Sequence, residues 1–253
     1  PKVNAAAAVS KPLERDFGPA LASQLGRKIP SVLTVKLGVN HTISYNLHSM
    51  DQAGLWRGGF LNLDSTQHYR ERGEGVPEIQ GEKIVGLQSW KWAHDGTFDY
   101  PTANLLPRGP LPAKWMEYHG HYLYEDNLVL SYSINGRDIL EMPTKAQGFG
   151  AIVHTLNVAA GTQPLQLCVG QLETQMPHNG FLAPNAPTVK LKNTKISSTD
   201  QIAVSGSLTK QDLGLFSAAA IFGQIDGLEW SFDGDNRIVL TIPASKQSQL
   251  FQV

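Results

Sequence analysis

The chain has 253 residues, of which 41% are hydrophobic and 17% are charged, and its formal net charge is −1 at pH 7. A chain of this size buries a substantial core without disulfides, and the absence of a basic run excludes the electrostatic signature of a nucleic-acid-binding protein. No stretch approaches the roughly 20 apolar residues that a membrane-spanning helix needs, so we expect no membrane span.

The first residues predict a leader followed by a short turn or helix. Residues 1–13 are mostly small and polar, and the chain begins at Pro1, which is typical of an exported chain after signal removal. We therefore expect a periplasmic or extracellular protein with a flexible leader. Residues 14–26 (ERDFGPALASQLG) are interpreted as a short turn or helix that Gly26 ends.

Strand patterns dominate the rest of the chain. Residues 31–37 and 41–48 alternate apolar and polar side chains on either side of a Gly-Val-Asn turn. This alternation predicts two antiparallel strands, with Ile43, Tyr45 and Leu47 on one face of the second strand.

Two tight turns predict hairpins. Asn135-Gly136 separates LVLSYSI from RDILEM, and this dipeptide tolerates the positive φ angles of a type I′ turn. Residues 233–236 repeat the pattern near the C-terminus. Residues 209–223 predict either a second helix or a buried strand around 216–222. The fold class expected is all-β, an antiparallel β-sandwich type, as one sandwich or two β lobes, with one or two short helices.

The composition changes near residues 142–150, where Trp, Tyr and His give way to Ala, Thr, Gln and Lys. We therefore predict an aromatic-rich β domain at 14–145, then a second β lobe or the second half of the same sandwich at 146–253. The chain is expected to continue beyond Val253 in a longer protein.

The single cysteine, Cys168, excludes an internal disulfide and is interpreted as a buried, inert thiol.

Aromatic residues cluster between residues 56 and 124, and flat rings beside polar groups bind sugars. Trp90 and Trp92 share one face if their segment is extended. The alternative is that the tryptophans fill a β-sheet core. The residues predicted to bind a carbohydrate or another polar small molecule are Arg57, Trp90, Trp92, Trp115, Glu117, Tyr118 and Tyr122.

A His-x-His pair suggests a metal site. His119 and His121 lie two positions apart, so on a regular strand both imidazoles project from one face and can reach one ion. Glu117, or His94 or Asp95 from elsewhere, would supply the third ligand. The alternative is a strand edge with exposed histidines beside tyrosines.

Two further sets of charged residues are candidate sites. Gly58-Gly59 favours a bulge or a close backbone approach, and it precedes a polar loop at 64–75. The loop is either solvated or presents charges to a ligand carboxylate, through Arg57, Asp64, His68 and Arg70.

The carboxylates that suit a glycosidase pair are Glu117, Glu125, Asp126 and Glu141. No nucleophile-elbow, dinucleotide, Walker or His-Glu-x-x-His motif is present, so catalysis is left open.

Four short motifs stand out in the first three-fifths of the chain. They are Asp-Phe-Gly-Pro-Ala at 16–20, Trp-Arg-Gly-Gly-Phe-Leu at 56–61, Gly-Pro-Leu-Pro-x-x-Trp at 109–115 and Leu-Ser-Tyr-x-Ile-x-Gly at 130–136. Together they resemble an uncharacterised domain of large secreted planctomycete-type proteins, over about residues 17–143. The resemblance implies neighbouring c-type cytochrome and dehydrogenase-like or sugar-related modules, and carries no catalytic residues.

The expected function is a non-catalytic ligand-binding or docking module of an exported multidomain redox or sugar-processing protein. A c-type cytochrome domain or subunit is an expected partner, and a glycan or other small molecule an expected ligand. The chain has no Cys-x-x-Cys-His motif, so we expect no cofactor here and place any haem in a partner or another segment. The alternatives are a metal-assisted enzyme acting on a carbohydrate and a purely structural module packed against a cytochrome domain.

Overall fold

The structure is a computed structural model. It describes residues 17–63, 76–99, 109–125, 127–146, 150–171, 177–182, 190–191, 202–207, 216–233 and 237–253. Within these ranges every regular element is a β-strand, which confirms the all-β prediction. None of the described segments is a helix long and apolar enough to cross a membrane.

The strands follow one another along the whole described chain. They are β1 (Ala20–Leu25), β2 (Ile29–Leu37), β3 (His41–Asn46), β4 (Gln52–Arg57), β5 (Leu61–Asn62), β6 (Glu78–Ile79), β7 (Glu82–Lys83), β8 (Lys91–Trp92), β9 (Met116–Tyr124), β10 (Asn127–Ile134), β11 (Arg137–Lys145), β12 (Ile152–Val158), β13 (Leu165–Gln171), β14 (Pro177–Leu182), β15 (Lys190–Leu191), β16 (Ile202–Ser207), β17 (Phe216–Ala220), β18 (Phe222–Gly223), β19 (Glu229–Phe232), β20 (Arg237–Ile242) and β21 (Gln249–Gln252).

These strands pair in antiparallel sheets. The first sheet has the order β1-β2-β3-β4-β7, and the second β18-β21-β12-β11-β10-β9. The third sheet has the order β19-β20-β13-β8, and the fourth β15-β14-β16-β17, while β5 pairs with β6 alone. The predicted antiparallel, sandwich-type class is therefore confirmed.

The predicted hairpin around Asn135-Gly136 is confirmed. Ile134 pairs with Arg137, and the two turn residues have φ angles of 48° and 76°. Positive φ at both central positions is the requirement of a type I′ turn, whose twist matches antiparallel strands. The predicted pair at 31–37 and 41–48 is also present as β2 and β3.

The short turn or helix predicted at residues 14–26 is replaced by a strand in the described part of that segment, residues 17–26. Residues 20–25 form β1, which pairs with β2 from Ala20 opposite Val35 to Leu25 opposite Ile29. The continuous ladder and the burial of Leu25 override a weak local helix preference. At 209–223 the strand alternative is confirmed by β17 and β18, but Phe222 is 56% exposed rather than buried. Residues 209–215 lie outside the described residues.

The main core lies where the first, second and third sheets meet. The first sheet contributes Leu33, Val35, Ile43, Tyr45 and Leu55, all 2% exposed or less. The facing residues from the other two sheets are Leu128, Leu130, Tyr132, Ile139, Leu156, Leu167, Ile238, Leu240, Ile242 and Phe251. Because strand residues alternate, Val32 and Trp56 face the other side of the first sheet, where a smaller core forms with Leu25 and Leu61.

Strands from both sides of residue 145 share sheets. β11 pairs with β12, and β8 pairs with β13 through Leu167 opposite Trp92. The main core likewise draws side chains from both halves of the chain. The division at residues 145 and 146 stays a prediction.

Two local predictions agree with the structure. A Cβ added to Gly59 would lie 2.3 Å from the Gln80 carbonyl oxygen, so the backbone does approach closely there. Cys168 is buried and free, and burial raises the pKa of its thiol to about 12. A thiol that remains protonated is a poor nucleophile.

Arg137 fastens the second sheet to neighbouring loops. Its guanidinium is buried and donates to the carbonyl oxygens of Ala159, Gln163 and Pro243 at 3.0, 3.1 and 2.9 Å. The stem of this side chain packs on Gly161, where an added Cβ would lie 2.4 Å from Arg137 Cγ.

Gly161→Ala is expected to lower the free energy of unfolding by about 1–3 kcal/mol, because the pinned arginine cannot move aside without losing hydrogen bonds. Urea denaturation followed by tryptophan fluorescence measures the change. Gly150→Ala is the matched control, since an added Cβ there meets no atom of the described residues within 4 Å. Equal stabilities of the two variants would contradict the expectation.

Candidate functional site

The tryptophans predicted to form a binding platform lie inside the protein. Trp90, Trp92 and Trp115 are 3%, 0% and 8% exposed. Trp90 and Trp92 do face the same core, as their spacing predicted. The sheets close over these three indoles, which fill the core as the alternative held. Their binding role stays a prediction.

Trp115 is fixed at the edge of the core by polar contacts. Its indole Nε1 donates to Asp95 Oδ2 at 2.9 Å, and its ring stacks on His94 with centroids 5.9 Å apart. Burial lowers the pKa of His94 to about 4, so this imidazole is neutral at pH 7. Asp95 and His94, considered above as metal ligands, therefore contact Trp115.

The exposed members of the predicted site do not converge. Tyr122 is 48% exposed and pairs with Val129, whereas Glu117 pairs with Ser133 at the other end of β10. Arg57 lies on the first sheet and forms an exposed ion pair with Glu82, at 2.9 Å between Nη2 and Oε2. The binding roles of Arg57, Glu117, Tyr118 and Tyr122 stay predictions.

A bulge in β9 separates the two histidines of the proposed metal pair. Ser131 pairs with Gly120 and Tyr132 with Tyr118, which leaves His119 as the extra residue. His121 thereby comes onto the face of Tyr118, and the two side chains share a hydrogen bond.

No group of three or more His, Cys, Asp or Glu side chains suited to a metal lies within the described ranges. The metal prediction at His119 and His121 is checked by elemental analysis after loading with Zn²⁺, Ni²⁺ and Cu²⁺. The charged loop at 64–75, with Asp64, His68 and Arg70, lies outside the described residues, as does Asp126.

A buried polar cluster centres on Glu141, which is 0% exposed. Its Oε1 accepts a hydrogen bond from Tyr45 at 2.7 Å and lies 2.7 Å from His154 Nδ1. Its Oε2 accepts from Tyr132 at 2.5 Å, and Trp92 Nε1 donates to the same phenol at 3.2 Å. As a carboxylate, Glu141 thus meets three donors, which offsets the unfavourable burial of its charge.

The cluster joins three sheets. Tyr45 comes from β3 of the first sheet, Glu141 and His154 from β11 and β12 of the second, and Trp92 from β8 of the third. Trp90 covers His154, with ring centroids 3.7 Å apart and planes inclined by 14°.

The environment of the cluster keeps both of its phenols protonated. Burial raises the pKa values of Tyr45 and Tyr132 well above their usual range, and the charge of Glu141 raises them further. Both phenols therefore stay protonated and act as donors. Glu141, Tyr45 and Tyr132 are fully buried, and the hydrogen bonds among them stabilise the contact between the sheets.

A polar groove that the sequence did not predict opens at the surface of the described part of the chain. It has a volume of about 540 Å³ and lies between the residues after β18 and the loop that joins β20 to β21. Its polar lining residues are Gln224, Asp226, Ser245, Gln247, Ser248 and Gln249. We call it the amide groove.

Hydrogen bonds fix several walls of the amide groove. Gln224 Oε1 accepts from the Leu250 amide at 2.8 Å, and Gln249 Nε2 donates to the Asp226 carbonyl at 3.2 Å. Ser245 donates to the Gln247 carbonyl at 2.7 Å. Among the described residues, Gln249 Oε1 is buried without a hydrogen-bond partner.

The fold defines an all-β, antiparallel protein, and one family model matches part of the chain. Residues 43–141 match the family described as Domain of unknown function (DUF6797). This match is consistent with the expected uncharacterised domain. No curated protein and no solved structure matches the chain. The matched segment contains Tyr45, Tyr132 and Glu141, while His154 and the amide groove lie beyond it.

Proposed function

We propose that the chain is a non-catalytic binding module for a carbohydrate or a similar hydroxyl-rich small molecule, held in the amide groove. The observation that carries the proposal is the groove itself, with its volume of about 540 Å³ and its lining of amides, hydroxyls and one carboxylate. The proposal moves the predicted ligand away from the tryptophans, which are buried.

The size and the lining of the groove favour a sugar over an apolar ligand. Small-molecule sites commonly have volumes of about 300–1,000 Å³. A sugar presents donors and acceptors in many directions, so amide and hydroxyl groups on several sides of a groove suit it. Among the described residues no aromatic ring lines the groove, so polar contacts rather than ring stacking would supply specificity.

Asp226→Ala is expected to weaken glycan binding by about 10- to 100-fold, because a hydrogen bond to a charged group contributes roughly 1.5–3 kcal/mol. Isothermal titration against a panel of neutral mono- and oligosaccharides first identifies a bound sugar, and the variant is then titrated with it. Asp226 is exposed, so the substitution leaves the fold intact.

Glu229→Ala is the matched control, since Glu229 is an exposed carboxylate three residues away in β19 and outside the groove lining. Its affinity should equal that of the unchanged protein. Chemical-shift changes on sugar addition should fall on residues 224–226 and 245–249. Shifts confined to β9 instead, or no binding by any sugar, would overturn the proposal.

We also propose that this module works outside the cytoplasm, within an exported protein that carries a c-type cytochrome domain or acts beside a cytochrome subunit. The support is the four motifs quoted above, three of which overlap or lie inside the matched segment 43–141. Sequencing of the neighbouring coding region, followed by haem staining of the exported protein, tests this context.

A second candidate is a structural module that packs against a cytochrome domain through the outer face of the second sheet. Tyr122, Leu140, Phe222 and Leu250 are 48%, 36%, 56% and 52% exposed. Leu140 and Leu250 both pair with Asn157, one from each side, so they lie in one row across the sheet. Exposed apolar groups in such a row are typical of an interaction surface.

The two candidates are separated by one pair of variants. Leu140→Lys should abolish co-sedimentation with the cytochrome domain and leave sugar binding unchanged, whereas Asp226→Ala should do the reverse. A protein in which Leu140→Lys has no effect on cytochrome association does not use this face.

A further inference from the structure

A second cavity lies at one end of the sandwich, between the first and second sheets. It has a volume of about 170 Å³ and is formed by the end of β2 with the residue after it, the start of β10 and the end of β11. Lys36, Asn127, Thr144 and Lys145 are its polar lining residues. This volume is below the usual range for drug-sized ligands, so only a small molecule or ion fits.

The charged side chains that line this cavity are all positive. Two of the eight lining residues are lysines, and none of these eight, all of them described, carries a carboxylate. Lys36 places its Nζ 5.3 Å from the centroid of the Phe60 ring, so its ammonium lies beside that ring. Lys145 is exposed at the end of β11, and its side chain belongs to the face of β11 that carries the buried Glu141.

His41 lies beside this cavity and carries an unsatisfied polar atom. It pairs with Leu37, a lining residue, and on its other side with Arg57. His41 is 8% exposed, and its Nδ1 is buried without a hydrogen-bond partner among the described residues. Burial lowers the pKa of His41, and the charges of Lys145 and Arg57 lower it further. The positive potential of both cations therefore reaches this end of the sandwich.

We propose that this cavity binds a small oxyanion, a phosphate or carboxylate group, with Lys145 as its principal cation and Asn127 as a neutral donor. An ammonium and an amide supply charge-assisted and neutral hydrogen bonds to such a group. The site is separate from the amide groove, which shares none of its lining residues. Success or failure here is therefore independent of the sugar proposal.

The direct test follows the His41 ring by NMR during a pH titration, with inorganic phosphate or acetate added in parallel to chloride at equal ionic strength. A bound anion next to His41 should raise its pKa relative to chloride, since a nearby negative charge favours the imidazolium. Constant ionic strength keeps general screening the same in all three samples. A response to phosphate alone or acetate alone identifies which oxyanion the cavity prefers.

Lys145→Gln should weaken phosphate or acetate binding about tenfold, through loss of a charge-assisted hydrogen bond. Lys28→Gln is the matched control, because Lys28 is an exposed lysine at the opposite end of β2. Equal weakening in both variants, or a His41 pKa that is the same in chloride, phosphate and acetate, would refute the site.

Discussion

Glu141→Ala is expected to lower the free energy of unfolding by about 3–5 kcal/mol, one of the two largest effects of any single substitution proposed for this protein. The variant removes the acceptor for two buried phenols and the partner of His154 Nδ1, 2.7 Å away. Each donor that loses Glu141 would stay buried without a hydrogen bond and would keep its desolvation penalty. Chemical denaturation at constant pH measures the loss.

Three companion variants show whether the network accounts for that loss. Tyr45→Phe removes one donor and should cost about 1 kcal/mol. Glu141→Gln keeps an acceptor oxygen and should fall between that value and the alanine variant. Glu117→Ala changes an exposed carboxylate on the same sheet and should stay within about 0.5 kcal/mol of the unchanged protein. A Glu141→Ala variant no less stable than Glu117→Ala would show that the cluster contributes nothing to cohesion.

Trp92→Ala is the second large effect, with an expected loss of about 3–5 kcal/mol. Trp92 is 0% exposed, and its ring contacts Tyr132 edge-on with centroids 6.3 Å apart. The variant leaves a large cavity among three sheets and also removes the hydrogen bond from Trp92 Nε1 to the Tyr132 hydroxyl. Thermal and urea unfolding of the purified variant measure the loss.

Tyr122→Ala is the paired control because its side chain belongs to the same predicted binding set and is 48% exposed. Its loss should be below about 1 kcal/mol. A larger loss for Tyr122→Ala than for Trp92→Ala would contradict the assignment of Trp92 to the core.

Local sequence patterns predicted the elements whose structure depends on residues adjacent in sequence. Asn135-Gly136 identified its hairpin because the dipeptide itself adopts the required φ angles. The alternation in residues 41–45 placed Ile43 and Tyr45 in the core, since only one face of a strand meets it. The prediction for residues 20–25 was wrong because pairing with β2 makes this segment a strand. The segment itself has only a weak preference for any secondary structure.

The site was harder to predict because its residues are distant in sequence or chemically ordinary. Glu141 appeared in the sequence as one of four carboxylates of equal standing. Its distinction comes from Tyr45, 96 residues earlier, and from His154. The amide groove consists of glutamines and serines in loops without a motif, and only the convergence of residues 223–226 and 243–249 reveals it. Tryptophan clustering indicated a binding surface, whereas large rings serve equally well to fill a three-sheet core.

The residues of the Glu141 cluster are far apart in sequence, and this separation affects the rate of folding. Tyr45 is separated from Glu141 by 96 positions and from His154 by 109. Long loops must close before these groups meet, and that entropic barrier slows chains dominated by distant strand pairing to milliseconds or seconds. Contacts that assemble after the rate-limiting step act mainly on the reverse reaction. We therefore expect loss of the buried carboxylate to speed unfolding more than it slows folding, which stopped-flow kinetics of Glu141→Ala would measure.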